Sequence, residues 1–75
     1  MERYSEAIAC YDKGIQFQPD CFKAWNKRGY ALVRLGDESE AIDSFNRALK
    51  IKPDYADADY NTDACYALQG EVELA

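Results

Sequence analysis

Along most of the chain, apolar residues recur every third or fourth position. Tyr4, Ala7, Ile8, Tyr11 and Ile15 form one such series, and Ala41, Ile42, Phe45, Ala48 and Leu49 another. Because about 3.6 residues complete a helical turn, this spacing lays a single apolar stripe along a helix, whereas a half-buried strand would alternate at every second residue. The series are punctuated by Pro19 and Pro53, which cannot continue a preceding helix. Gly36 and Gly70 can adopt the left-handed conformation that closes one. The pattern predicts four helices, near residues 3–17, 22–35, 38–51 and 56–69, with residues 70–75 as a short frayed tail. Asp37 and Asp54 place carboxylates ahead of the third and fourth helices, where they can cap the first turn or meet the positive end of the helix dipole.

The chain also matches itself when displaced by 34 residues. Ser5-Glu6-Ala7-Ile8 returns as Ser39-Glu40-Ala41-Ile42, Pro19-Asp20 as Pro53-Asp54, Ala24 as Ala58 and Gly36 as Gly70, while Tyr11 and Phe45 correspond in kind. A fixed period of this size is the mark of a stacked repeat. Gly29, Ala41 and Ala48 are small where two antiparallel helices must approach, and Trp25, Leu32, Phe45 and Leu49 supply bulk beside them.

The run Trp25-x2-Arg28-Gly29-x2-Leu32, followed by Gly36, Ala41-x3-Phe45-x2-Ala48 and Pro53, resembles one tetratricopeptide repeat. It departs from the family at Arg28 and Leu32, where leucine and tyrosine are usual. The resemblance implies an all-α fold, an antiparallel helix-turn-helix α-solenoid fragment. Residues 22–55 would be a complete repeat, residues 3–19 the second helix of a partial one, and residues 56–69 the first helix of a following repeat or a terminal cap. A chain that opens inside a repeat is expected to be an excised piece of a longer array.

Stacked repeats bury their faces against their neighbours, so the two ends are expected to differ. The first helix presents Tyr4, Ala7, Ile8 and Tyr11 toward a helix this chain does not contain, a face suited to self-association. At the other end the residues matching Trp25 and Gly29 are Asp59 and Asp63, one turn apart on one face. Carboxylates are costly to bury unpaired, so that face is expected in water, as a polar cap.

Composition narrows the function. Hydrophobic residues at 48% and charged residues at 31% allow a folded core, and in 75 residues that core must be small. No apolar run approaches the roughly 20 residues that cross a bilayer, and a soluble, cytoplasmic protein is expected. A net charge of −5 disfavours nucleic acids and anionic membranes as partners, since both need a cationic footprint. The chain has no histidine, and its three cysteines form no CxxC pair, so no metal and no cofactor are expected. Cys10 and Cys65, at helical positions, are expected to be buried, and Cys21, in a turn, to be the most exposed. Without a histidine base, a phosphate-binding glycine loop or a cleft-bound acid pair, an enzyme is not expected.

What remains is binding to a protein or peptide. The family resemblance implies that the first helix of each repeat lines a concave groove. In the complete repeat Lys23, Lys27, Tyr30 and Arg34 fall on one stripe, with Asn26 and Val33 beside it. Tyr60, Asn61, Ala64 and Leu68 occupy the corresponding face of the fourth helix. Three cations and a phenol suit a carboxylate. Some family members grip a peptide's terminal carboxylate with lysine, asparagine and arginine, and Lys23, Lys27 and Asn61 resemble part of that set, though in a different chain order and with Asp57 nearby. Two other readings stay open: a solvated basic face that offsets the acidic tail, and a groove for another kind of peptide.

Overall fold

In the computed structural model, residues 3–74 are described, with side chains described as far as residue 67. Four helices follow one another, α1 (Tyr4–Phe17), α2 (Phe22–Arg34), α3 (Glu38–Ile51) and α4 (Ala56–Leu74), and no strand occurs among the described residues. Turns of three or four residues join them, which folds successive helices back as antiparallel hairpins. Each helix packs on the next, and α2 also meets α4, so α2 and α4 line one side of the stack.

The turn between α2 and α3 shows how local chemistry sets a boundary. Gly36 adopts φ 85°, its N–H reaches the Val33 carbonyl at 3.0 Å, and the Asp37 N–H reaches that of Leu32 at 2.9 Å. These two bonds satisfy carbonyls that the end of α2 would otherwise leave open. One residue later the Asp37 carboxylate accepts from the Glu40 N–H at 3.4 Å and starts α3. Asp54 instead pairs with Lys52, at 3.3 Å.

Gly70 behaves differently from Gly36. The helix expected to end at residue 69 runs on to Leu74, so the tail expected over residues 70–75 is helical backbone through residue 74, and residue 75 lies outside the described residues. A glycine inside a helix costs about 1 kcal/mol relative to alanine but does not forbid it. No proline or capping aspartate follows Gly70, and the glutamates and leucine that do follow favour helix.

The core is a cluster of Leu32, Ala41, Ile42, Phe45 and Cys65, with Ile8 and Val33 packed against it. Phe45 is fully buried at its centre. Its ring lies against the bare backbone of Gly29, where an added Cβ would stand 2.5 Å from the Phe45 Cε1. The glycine is there because the ring takes the space of a side chain.

Arg28 carries a role the sequence pattern did not reveal. Its Nε donates to Asp12 of α1 at 2.7 Å, its Nη1 donates to the buried Ser44 Oγ of α3 at 2.6 Å, and its Nη2 lies 3.6 Å from the Glu40 carboxylate. One guanidinium thus ties α1, α2 and α3 together. The Trp25 indole donates to the Pro19 carbonyl at 2.9 Å and holds the turn between α1 and α2.

The cysteines depart from expectation. Cys65 is buried, but Cys10 is exposed and Cys21 is intermediate. Cys10 corresponds to Ser44, which is enclosed because α3 lies between two helices; α1 lies at the edge of the stack and has no cover at that position.

Candidate functional site

The side of the stack formed by α2 and α4 carries two adjoining hollows. The larger, of about 350 Å³, is lined by Tyr4, Ala7 and Tyr11 of α1, Asn26, Lys27, Tyr30 and Ala31 of α2, and Asn61 of α4. The smaller, of about 220 Å³, is lined by Tyr30, Val33, Arg34, Phe45, Asn61, Ala64 and Cys65. Tyr30 and Asn61 belong to both, so the two hollows read as one shallow groove with a waist.

The polar groups of the groove are arranged by the helices beneath them. Asn61 Nδ2 donates to Asn26 Oδ1 at 3.0 Å, across the gap between α4 and α2. Asn26 is 9% exposed, so its amide is held within the wall, while Asn61 is half-buried at the surface. Arg34 donates through Nε and Nη2 to the Tyr30 hydroxyl, at 3.1 and 2.7 Å, and its guanidinium lies 5.1 Å from the Tyr30 ring centre. The basic end of the stripe is therefore organised around a phenol. Among the described residues, Lys27 is the one charged residue lining the larger hollow.

Behind the wall, Tyr55 packs edge-on against Phe22 with ring centres 4.8 Å apart. Burial pushes the Tyr55 hydroxyl above its ordinary pKa, the Asp57 carboxylate adds to this, and a hydrogen bond with Asn26 works against it. Burial likewise raises the Cys65 thiol, with Glu38 contributing.

Several residues expected in the groove are brought together there: Asn26, Lys27, Tyr30, Val33, Arg34, Asn61 and Ala64. Lys23 and Tyr60 are exposed and line neither hollow, and the Leu68 side chain lies outside the described residues. The main difference concerns α1. Tyr4, Ala7 and Tyr11 line the larger hollow, and Ile8 packs against the core. The apolar stripe of α1 is legible in the sequence; that it faces the same space as Asn26 and Tyr30 depends on how α1 crosses α2. Phe45, read as a packing residue, and Cys65, read as buried, also reach the groove floor, and so does Ala31.

Among the described residues, no group of acidic residues and cysteines is placed to hold a metal ion, and no helix is long and apolar enough to cross a membrane.

Comparisons with known proteins bear on the family. A peroxisomal targeting signal receptor of Candida albicans is 32% identical over 60 residues, which is 80% of this chain and 10% of the receptor. Protein arginine N-methyltransferase 9 of Homo sapiens is 33% identical over 61 residues, 81% of this chain and 7% of that protein. Protein FlbA of Caulobacter vibrioides is 31% identical over 75 residues, the whole of this chain and 13% of that protein. The chain thus spans a small fraction of the length of the relatives it matches. Residues 1–56 match the family model of the tetratricopeptide repeat, and with a 34-residue self-match realised as stacked helix pairs around Gly29 and Phe45, the chain belongs to the tetratricopeptide-repeat family.

Proposed function

We propose that this chain is a non-catalytic, cytoplasmic interaction module that holds a segment of a partner protein in the groove between α2 and α4. The carrying observation is the larger hollow, in which three tyrosines, two amides and Lys27 converge. Tyrosine rings bury apolar area while keeping a polar tip, and the asparagines offer donors and acceptors at the level of a peptide backbone. A groove of this composition suits an extended or helical peptide better than a nucleic acid or a membrane, for which the net charge of −5 is unfavourable. One similar protein is named a targeting signal receptor, which is in keeping with peptide capture.

Of the ligand chemistries, a terminal carboxylate near Lys27 is the sharpest to test. Titrating isotope-labelled protein with an acidic C-terminal peptide should move the amide signals of Lys27, Tyr30 and Asn61. Unchanged signals at Lys27, Tyr30 and Asn61 up to millimolar peptide would sink the carboxylate reading.

A second reading is favoured by the incomplete burial of α1. Tyr4, Ala7 and Tyr11, with Ile8 behind them, are only half-buried, so a helix from another molecule can complete their cover and pair two chains. A strictly monomeric species across the micromolar to millimolar range removes this second reading.

A further inference from the structure

On the side of α2 turned away from the groove lies a third hollow, of about 530 Å³, lined by Trp25 and Arg28 of α2 and by the outer face of α3. Among the described residues α1 and α3 both pack on α2 and not on each other, so the hollow belongs to a furrow between them. The charges on this face of α3 follow one order. Glu40 and Asp43 come first and Arg47 and Lys50 last, with the neutral Asn46 between, and all five are exposed. Counted from Phe45 they mirror one another, position 40 against 50 and position 43 against 47.

The helix dipole favours acids early and bases late, but it does not set that mirror spacing. On α1 the same places hold Glu6, Ala9, Lys13 and Gln16, only half of the pattern. Nor are the charges of α3 satisfied within the chain. Asp43 and Arg47 are one turn apart, yet among the described residues neither they nor Lys50 form an ion pair, and the Arg47 guanidinium is turned to the Trp25 ring, 5.7 Å from its centre. Glu40 is engaged, 3.6 Å from Arg28, which Asp12 of α1 also holds.

We propose that the outer face of α3 is a docking surface for a second copy of this chain, whose own α3 lies antiparallel to it about a two-fold axis at the level of Phe45. A two-fold interface presents one patch twice, so each residue must complement its mirror position. Here Glu40 meets Lys50 of the second copy and Asp43 meets its Arg47, each contact is made twice, and the pairs span about 15 Å of helix. A parallel arrangement would set like charge on like charge, which is unfavourable. Glu6 and Lys13 on the neighbouring α1 run in the same order, so they add to the attraction. The half-buried Trp25 and the aliphatic stems of Arg47 and Lys50 supply apolar area beside the charges. Exposed ion pairs are individually weak, so the association is expected at high micromolar to millimolar concentration and falls as salt screens it. Pairing on this side leaves the groove between α2 and α4 uncovered in both copies.

Sedimentation equilibrium and amide shifts of the unaltered chain, from micromolar to millimolar at low salt, test the pairing. The mass should rise above that of a monomer and the signals of Asp43, Asn46, Arg47 and Lys50 should move, and both effects should vanish at about 0.5 M salt. Asp43→Arg and Arg47→Asp each turn two attractions into repulsions, and each variant alone should associate at least about tenfold more weakly. Mixed in equal amounts they restore opposite charges at both positions, and the mixture should associate as the unaltered chain does. An unaltered chain that stays monomeric at millimolar concentration and low salt would overturn the proposal. So would shifts confined to Tyr4, Ala7 and Tyr11, or a mixture no more associated than its parts. If either variant fails to fold, the dilution and salt series of the unaltered chain decides on its own.

Discussion

A methyl group at position 29 would meet the Phe45 ring at 2.5 Å, and that ring is fully enclosed, so the neighbour cannot give way. Gly14 is also helical, yet an added Cβ there meets nothing within 4 Å. The two glycines should therefore respond oppositely to the same change. Gly29→Ala is expected to destabilise by about 1–3 kcal/mol through overpacking, although alanine is the better helix former. Gly14→Ala is expected to stabilise by about 0.5–1 kcal/mol, because only the backbone entropy changes. Urea denaturation of both variants checks the pair, and a rise in midpoint for Gly29→Ala would contradict the packing described. The sequence marks Gly29 as small at a helix approach; that Phe45 is the group filling its space is a tertiary fact.

Among the helices, Arg28 links the first to the second and third. The family resemblance leads one to expect a leucine there, and the structure replaces its packing with a guanidinium shared by Asp12, Ser44 and Glu40. The Arg28 side chain is 20% exposed and Asp12 is 51% exposed, so solvent screens the pair. A double-mutant cycle of Arg28→Met and Asp12→Asn should give a coupling of about 0.2–1 kcal/mol that shrinks as salt is raised. A coupling indistinguishable from zero at low salt would mean that the contact does not tie α1 to α2. The same scale explains the unequal glycines at helix ends. Gly36 closes α2 because Asp37 caps the next helix immediately, whereas Gly70 has no such successor and α4 continues to Leu74.

The whole molecule measures 41 × 33 × 14 Å, a thin stack whose buried groups lie close to solvent. Its stability should therefore respond to pH through the few protonated groups that folding shelters. The Tyr55 hydroxyl and the Cys65 thiol both have raised pKa values, so the native state keeps protons that the unfolded chain releases as pH climbs past their ordinary values of 10.0 and 9.0. Stability from this source is fully present at neutral pH and is lost on the alkaline side as pH rises through the raised values. Denaturation midpoints at neutral pH and at about pH 10.5 should show the decline, and Tyr55→Phe, in a background of Cys65→Ala, should flatten it. An unchanged slope in that double variant would assign the alkaline loss to other groups.

By itself the sequence determines the helix pairs, their period and the family, because apolar spacing, proline and glycine act locally and the 34-residue match needs no coordinates. The family resemblance it carries, taken with helical phase, also points to Asn26, Lys27, Tyr30 and Asn61 as groove residues, and these line the larger hollow. Only the tertiary structure decides that Tyr4 and Tyr11 face that same wall, that Cys10 is exposed while Ser44 is enclosed, and that Arg34 is turned to Tyr30. Those outcomes depend on how one helix crosses another and on which helix lies at the edge of the stack, and spacing along a chain carries neither.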